Sequence, residues 1–175
     1  DNKTIAATII AFLAPGANLR TDAYGIARTR LLEEVVDAVR AAIGPDRVLG
    51  VRLGGGEDVP GGLTVDDAVA AARLVEPDVD YLSTSVGLAT QTLELVEAPS
   101  PVPAGYAAAL PSAVRAAVSV PVLGAGRYTR PDDARAALTA GHCDLVGVVR
   151  GQIADPQWAS GTGARTCIGC HQECT

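Results

Sequence analysis

The chain contains no methionine, one phenylalanine and one tryptophan, and aromatic residues make up only 3% of its 175 residues. These absences exclude a core of large aromatic side chains. Hydrophobic residues nevertheless account for 48% of the sequence, which is too much apolar surface for a disordered chain. Alanine, glycine and valine fill much of it, so we predict one domain with a core of small side chains.

An excess of positive charge is also lacking. The formal net charge is −6, which argues against a nucleic-acid surface, because such a surface needs a basic patch. No apolar run approaches the roughly 18–20 residues that span a bilayer. A basic stretch followed by an apolar core, the pattern of a secretory signal, is not visible either. We therefore expect a cytoplasmic protein that binds a small molecule, and neither nucleic acid nor a membrane.

Cysteine is scarce until the last nine residues, which hold three of the four. Such a distribution disfavours a disulfide scaffold and favours a metal or cluster in a reducing compartment. Cys167, Cys170 and Cys174 have the spacing C-x2-C-x3-C, which suits three thiolate ligands of an iron–sulfur cluster. With His171, the same segment fits a Cys3His zinc site. Cys143 lies in a predicted strand, where a small core residue is expected.

Two other interpretations of residues 167–174, here called the cysteine segment, stay open. The form C-x-x-C-H matches covalent haem attachment, although the chain has no methionine to serve as a second axial ligand. A reduced tail without metal is the remaining alternative.

Short apolar runs alternate with helical patterns along the chain. Strands are predicted at residues 47–53, 79–85, 120–124 and 143–148, with a fifth strand or its remnant at 4–13. Helices are predicted at residues 27–43, 64–75, 112–118 and 131–140. Continuous apolar strands separated by helices are typical of a parallel sheet covered by helices.

The segment 86–111 breaks this alternation, and a loop of that length is often a binding loop or lid. A closed eight-stranded barrel takes about 250 residues, which is more than this chain has. We therefore expect either an excised piece of a barrel or a half-barrel whose unpaired edges need another chain.

Two apolar runs end alike, at residues 121–127 (PVLGAGR) and 144–150 (DLVGVVR). One helix separates them, so in an α/β fold they form neighbouring parallel strands whose carboxyl ends lie side by side. Backbone N–H groups with the guanidinium groups of Arg127 and Arg150 suit a phosphate, and the last two strands of a (β/α)8 barrel often hold one. The alternative is a pair of ordinary buried strands with incidental arginines.

With these residues in view, the sequence resembles the flavin-dependent old yellow enzyme family, and within it the 2,4-dienoyl-CoA reductase and trimethylamine dehydrogenase branch. Residues 18–25 (NLRTDAYG) match that family's N-x-R-T-D-x-Y-G segment, and residues 153–156 (IADP) match the turn after its last strand. Residues 141–152 resemble a narrower subgroup associated with mycofactocin systems.

The resemblance implies a fold and a set of cofactors. Residues 1–160 would be the C-terminal part of an FMN-binding (β/α)8 TIM barrel, about strands 4/5 to 8. Residues 161–175 would begin a cysteine-rich cluster loop. Cys167, Cys170 and Cys174 would hold three corners of a 4Fe-4S cluster, with the fourth ligand beyond the chain end. NAD(P)H would supply electrons in the parent protein.

The resemblance also implies roles for individual residues. Arg52 would face the pyrimidine edge of the flavin and stabilise negative charge there. The FMN phosphate would lie against the two strand ends, in contact with Gly124, Gly126, Arg127, Val149 and Arg150. An ion pair inside the barrel is the alternative role for Arg52.

Several family features are missing, which leaves the catalytic residues unknown. Residues 5–8 (IAAT) stand where the family has a histidine- and tyrosine-bearing H-G-Y-L stretch. After residues 85–87 (SVG), Leu88 and Ala89 replace the Trp-His pair of the dienoyl-CoA reductases. We therefore expect a fragment of an NAD(P)H-dependent flavin oxidoreductase acting on an activated alkene, inactive without the rest of the barrel. The alternative is a non-catalytic nucleotide-binding half-barrel or zinc-stabilised module that assembles with a partner chain.

Overall fold

The computed structural model describes residues 13–161, 163 and 165–170 as an alternation of helices and strands. In chain order the elements are α1 (Ala23–Ile26), α2 (Arg30–Ile43), β1 (Gly50–Gly54), α3 (Val65–Val75), β2 (Tyr81–Ser85), α4 (Leu93–Val96), α5 (Ala109–Arg115), β3 (Val122–Gly124), α6 (Pro131–Thr139), β4 (Leu145–Val146) and α7 (Arg150–Ala154). Short 3-10 helices lie at Glu76–Asp78 and Trp158–Ser160.

The strands form one four-stranded sheet in the order β1-β2-β3-β4, and every neighbouring pair is parallel. Arg52 lies opposite Ser83, and Leu123 lies opposite Leu145. Since all four strands run the same way, their carboxyl ends meet at one edge of the sheet. The predicted α/β class and parallel sheet are confirmed.

Local sequence signals explain where the longer helices begin and end. Thr64 caps α3: its hydroxyl accepts a hydrogen bond from the Asp67 N–H at 3.1 Å, and the Asp67 carboxylate accepts the Thr64 N–H at 2.9 Å. Helix α2 ends at Gly44, whose φ of 78° is a conformation that favours glycine. Pro131 opens α6, where its missing N–H costs no intrahelical bond.

The core is built from small aliphatic residues, as predicted. The larger cluster joins α2, α3 and α5 to the sheet and consists of Leu32, Val36, Leu53, Ala68, Ala71, Ala72, Val75, Val79, Leu82, Leu110, Val114 and Val122. A smaller cluster under α6 comprises Tyr128, Ala134, Ala137 and Cys143, packed against Trp158 and two valines of the β4 region. Cys143 is thus a core residue, as expected.

An acidic residue just before β2 and another just before β4 bind the preceding strand at its amino end. Asp80 accepts the Leu49 N–H at 2.7 Å, and Asp144 accepts the Val122 N–H at 2.9 Å. Each also pairs with an arginine: Asp80 with Arg40 at 2.7 Å, and Asp144 with Arg115 at 2.8 Å. These contacts fix the register at the end of the sheet opposite to the strand carboxyl ends.

Several predicted boundaries were wrong. The helix predicted at 112–118 is α5, Ala109–Arg115, because Pro111 lies in its first turn, where a proline is tolerated. The strands predicted at 120–124 and 143–148 shorten to Val122–Gly124 and Leu145–Val146. Single backbone hydrogen bonds from Asp144 to Val122 and from Gly147 to Gly124, both at 2.9 Å, continue the pairing on either side of β4.

Two further expectations concern the ends of the predicted series. The segment 86–111 is not wholly irregular, since it contains α4 and the start of α5. The doubtful strand at 4–13 lies outside the described residues except for Leu13. No helix in the described part is both long and apolar enough to cross a bilayer.

The Asp144 contact predicts a pH-dependent contribution to stability. The Val122 N–H and the Arg115 guanidinium hold the pKa of the Asp144 carboxyl below its usual range. Its stabilising effect is therefore complete above the ordinary carboxyl pKa and is lost as the pH falls through the lower folded value. We expect Asp144→Asn to lower the free energy of unfolding by about 1 kcal/mol at pH 7, and by less near pH 2.

Urea denaturation at both pH values measures this difference. Asp37→Asn, which removes the same charge from an exposed position of α2, is the matched control and should leave the free energy nearly unchanged. Equal destabilisation by Asp144→Asn at the two pH values would contradict the assigned role.

Candidate functional site

A cavity of about 200 Å³ opens where the carboxyl ends of the four strands meet. Its wall comes from all four strand regions, from α4 and from the cysteine segment. The lining residues are Arg52, Thr84, Ser85, Val86, Leu95, Val96, Tyr106, Ala125, Gly126, Arg127, Tyr128, Thr129, Gly147, Val148, Val149, Arg150, Gly151 and Cys167. Among these described residues there are three arginines and no carboxylate. In a chain of net charge −6, this cavity concentrates positive charge.

Arg127 follows β3 in an unusual backbone conformation. Its φ is 55°, a left-handed value that is uncommon for any residue other than glycine. One guanidinium nitrogen, Nη1, donates to the Val102 carbonyl oxygen at 2.6 Å, while the buried Nε–H has no hydrogen-bond partner. A buried donor without an acceptor is costly, and such exceptions cluster at functional sites. The left-handed backbone and the unpaired buried donor both mark Arg127 as a candidate functional residue.

Arg150 and Arg52 bring two more guanidinium groups to the same cavity. Arg150 is the first residue of α7 and donates from Nη1 to the Ala98 carbonyl oxygen at 3.0 Å. Arg52 lies on β1, and its side chain is exposed on the cavity side. The structure therefore brings Arg127 and Arg150 together from two neighbouring βα units, with Arg52 in the same wall.

The remaining predicted ligands are distributed differently. Gly126 and Val149 line the cavity, whereas Gly124 is not among its lining residues. A Cβ added at Gly124 would lie 3.1 Å from Cys143 Cβ and 3.3 Å from Pro111 Cβ, so a small residue is needed there for packing. The geometry thus gives Gly124 a place beneath the cavity and not in its wall.

Two tyrosines that line the cavity were not predicted as site residues from the sequence. The Tyr106 hydroxyl donates to the Leu95 carbonyl oxygen at 2.5 Å and joins α4 to the loop before α5. Tyr128 is buried, its hydroxyl has no hydrogen-bond partner, and burial raises its pKa to about 12. Tyr106 lies in the aperiodic segment 86–111, where no sequence pattern indicates burial. Tyr128 lies between two polar residues, so the sequence around it does not predict that it is buried.

The cysteine segment reaches the cavity at one residue. Cys167 is half-buried and lines the wall, whereas Cys170 is exposed. Cys174 and His171 lie outside the described residues. Within the described ranges, no group of three His, Cys, Asp or Glu side chains is arranged to hold a metal ion. The predicted three-cysteine ligand set is therefore not tested by this geometry.

Comparison with known proteins places this cavity in context. The sequence profile of the NADH:flavin oxidoreductase / NADH oxidase family matches residues 8–163. The metal reductase of Desulforamulus reducens is 35% identical over 173 residues, which cover 93% of this chain and 26% of that protein. The NADPH dehydrogenase of a Geobacillus species is 34% identical over 151 residues, covering 84% of this chain and 42% of that protein.

A solved structure shows the same fold. The 2-naphthoyl-CoA reductase, in complex with 2-naphthoyl-CoA, superposes with a TM-score of 0.82 at 28% identity, covering 95% of this chain and 27% of that one. The described sheet and helices therefore match those of TIM-barrel oxidoreductases. The chain spans about a quarter of the length of the longer curated relatives it matches.

The fold and the sequence match together define the class as old yellow enzyme-type flavin oxidoreductases. The chain belongs to the NADH:flavin oxidoreductase / NADH oxidase family. Members of this family use FMN and NAD(P)H.

The described residues fit the anionic part of FMN. A phosphate needs hydrogen-bond donors and positive charge, and the described cavity wall contains three arginines and no competing carboxylate. The cavity volume of about 200 Å³ is below the roughly 300 Å³ from which ligand pockets usually start. The described part therefore has room for a portion of such a cofactor.

This charge arrangement predicts binding of a simple oxyanion. Inorganic phosphate at millimolar concentration should raise the melting temperature of the protein, because a ligand that binds only the folded state stabilises it. Arg127→Gln combined with Arg150→Gln should remove most of that shift. Thermal unfolding followed by circular dichroism measures it.

The control for this experiment is Arg135→Gln on α6, which removes one exposed guanidinium that pairs with Asp132 away from the cavity. Its phosphate-dependent shift should equal that of the wild type. If phosphate stabilises the double variant as much as the wild type, the cavity is not the anion site.

Proposed function

We propose that this chain is the C-terminal part, about strands 4/5 to 8, of an FMN-binding (β/α)8 barrel in an NAD(P)H-dependent oxidoreductase. The observation that supports this most strongly is the cavity with three arginines and no carboxylate among its described lining residues. FMN, when bound, supplies hydride transfer, and the protein supplies binding, orientation and electrostatics.

The predicted cofactor-binding residues then have distinct roles. Arg127 and Arg150 bind the phosphate oxygens, helped by backbone N–H groups near Gly126 and Val149. Arg52, from β1, also lines the cavity and would stabilise negative charge on the ring system. Gly124 supports the site indirectly, through its close packing against Cys143.

The substrate that we propose is an activated alkene, such as an enoyl or dienoyl thioester. One relative of known structure is a reductase bound to 2-naphthoyl-CoA, a conjugated thioester, and supports this class. Several apolar side chains in the cavity wall, Val86, Leu95 and Val96, suit an uncharged planar group better than a second anion. The resemblance gives no proton donor for this chemistry in the described part of the chain.

We further propose that Cys167, Cys170 and Cys174 bind a 4Fe-4S cluster whose fourth ligand follows the chain end. The comparison with relatives of different length supports the iron–sulfur branch of the family. The long metal reductase aligns with 93% of this chain, whereas the shorter NADPH dehydrogenase aligns with 84%. The run at residues 141–152 favours the subgroup associated with mycofactocin systems within that branch. Cys167 in the cavity wall would place such a cluster beside the cofactor.

The sheet edges support a larger assembly. In the described part, β1 and β4 each pair on one side only, which leaves two parallel edges unsatisfied. The remaining barrel strands, or a partner chain that supplies them, would close the sheet and complete the pocket. We place the complete enzyme in the cytoplasm, acting on a small molecule.

The first test of this proposal is cofactor content. The protein that contains the complete barrel should be yellow and should release about one FMN per chain on denaturation. Arg150→Ala should weaken FMN binding by about 10- to 100-fold, because it removes a charge-assisted hydrogen bond. Fluorescence titration of the apoprotein measures this affinity, with Arg135→Ala as control. A colourless protein that does not bind FMN would refute the proposal.

The cysteine segment has its own test. The longer protein that contains the fourth ligand, purified anaerobically, should contain about four iron atoms per chain and absorb visible light, as expected of a 4Fe-4S cluster. Cys170→Ser should lower the iron content strongly, whereas Cys143→Ser, at a buried core position, should leave it unchanged. One zinc per chain without visible absorbance would instead identify a structural zinc site.

A further inference from the structure

Residues 98–102, here called the strap, lie between α4 and α5. The strap hangs on both cavity arginines: Arg150 Nη1 donates to the Ala98 carbonyl oxygen at 3.0 Å, and Arg127 Nη1 donates to the Val102 carbonyl oxygen at 2.6 Å. Ala98 is completely buried. A neighbouring backbone bond, from the Gly105 N–H to the Gly126 carbonyl oxygen at 2.6 Å, ties the same loop to the end of β3. Arg127 and Arg150, which line the cavity, therefore also hold the strap in place.

Residues 165–170, which contain the described part of the cysteine segment, contact the rest of the chain at two points. The first is Asp155, a carboxylate only 6% exposed at the end of α7. Its Oδ1 accepts the Gln157 N–H at 2.9 Å, and its Oδ2 accepts the Arg165 N–H at 3.1 Å. A buried carboxylate needs such donors, because an unpaired one would be expensive. The Oδ1 contact is local, whereas the Oδ2 contact brings residue 165 back to the end of α7.

The second attachment is the strap itself. Gly169 is buried with a φ of 66°, and a Cβ added there would lie only 2.9 Å from the Ser100 nitrogen. The backbone of the cysteine segment therefore lies directly against the strap, closer than a side chain would allow. Cys167 stands between the two attachment points, half-buried in the cavity wall.

We propose that Asp155 is a positioning residue that holds residues 165–170 against the strap and places Cys167 in the cavity wall, and that an anion bound by Arg127 tightens this arrangement through the strap. The second half rests on the proposed function. It follows from the donor count of arginine: a guanidinium has five N–H groups, and Arg127 gives one to the strap. An anion on the others immobilises the guanidinium, so the strap and the segment against it are ordered at lower entropic cost.

Because coupling between two sites is reciprocal, a change at one is measurable at the other. The reactivity of the Cys167 thiol reports the position of the segment and requires no enzymatic activity. The other described cysteines are internal references: Cys170 is exposed, and Cys143 is only 2% exposed in the core. Selective exposure of Cys167 differs from unfolding, which would expose Cys143 as well.

The experiment measures alkylation rates of individual cysteines by peptide mass spectrometry on reduced, metal-free protein. Asp155→Asn replaces two acceptors by one acceptor and one NH2 donor, so one of the two backbone N–H groups loses its partner. Cys167 should then react about tenfold faster, with Cys170 and Cys143 unchanged. Equal Cys167 rates in the wild type and in Asp155→Asn would overturn the positioning role.

A second variant reaches the same contact from the other side. Gly163→Ala keeps the carboxylate, but the added Cβ would overlap with Asp155 Oδ2 and push the segment away. It should speed Cys167 alkylation as Asp155→Asn does. The matched control is Gly54→Ala, whose Cβ would lie 4.0 Å from its nearest neighbour, Leu63 Cδ1, and should change nothing. An unchanged Cys167 rate in Gly163→Ala would contradict attachment at Asp155.

Inorganic phosphate tests the coupling. Phosphate should slow Cys167 alkylation in the wild type by a few-fold and leave Cys170 unaffected. If phosphate raises the melting temperature but leaves the Cys167 rate unchanged, the coupling is wrong while the anion site stands. If phosphate changes neither quantity, the anion site of the proposed function fails, and the role of Asp155 is still judged by its own variants.

Discussion

The parallel pairing of β3 with β4 is the constraint on which the site depends. Leu123 lies opposite Leu145 and Gly124 opposite Val146, so β3 and β4 both end at the same edge of the sheet. Only this register brings Arg127 and Arg150, from different βα units, into one cavity. At the other end of the sheet, Asp144 fixes the pairing by accepting the Val122 N–H.

Positive charge is concentrated against the overall balance of the chain. No acidic side chain is among the described lining residues of the cavity. Asp67 instead caps α3, and Asp80 pairs with Arg40. Arg127 and Arg150 donate to the backbone carbonyl oxygens of Val102 and Ala98. A site built in this way retains its positive potential for a ligand.

Much of the architecture could be predicted from the sequence because its signals are local. Apolar runs gave the order of strands, Thr64 and Gly44-Pro45 gave helix ends, and the two arginine-terminated runs gave the neighbouring strand ends. Element ends were less predictable, because the length of β4 depends on pairing with β3 and the start of α5 on the tolerance of a helix for Pro111 in its first turn. The strand pattern carries no information about such tertiary effects.

The segment 86–111 was predicted as a binding loop or lid, but the contacts that hold the strap were beyond prediction for a similar reason. The strap and the cysteine segment have no periodicity, and their positions depend on single contacts between distant parts of the chain. Arg150 reaches Ala98 and Asp155 reaches Arg165 through bonds that no spacing rule anticipates. Gly124 shows that a strand-end pattern carries more than one meaning: its position suggested a ligand contact, and in the structure its lack of a side chain allows close packing against Cys143.

The account rests on the claim that the last two strand ends bind the phosphate of a flavin nucleotide. The most direct measurement compares FMN with riboflavin, which has the same ring system and lacks the phosphate, in titrations of the apoprotein that contains the complete barrel. We expect FMN to bind at least about 100-fold more tightly, since two charge-assisted contacts are lost with riboflavin. Equal affinity for the two flavins would contradict the claim.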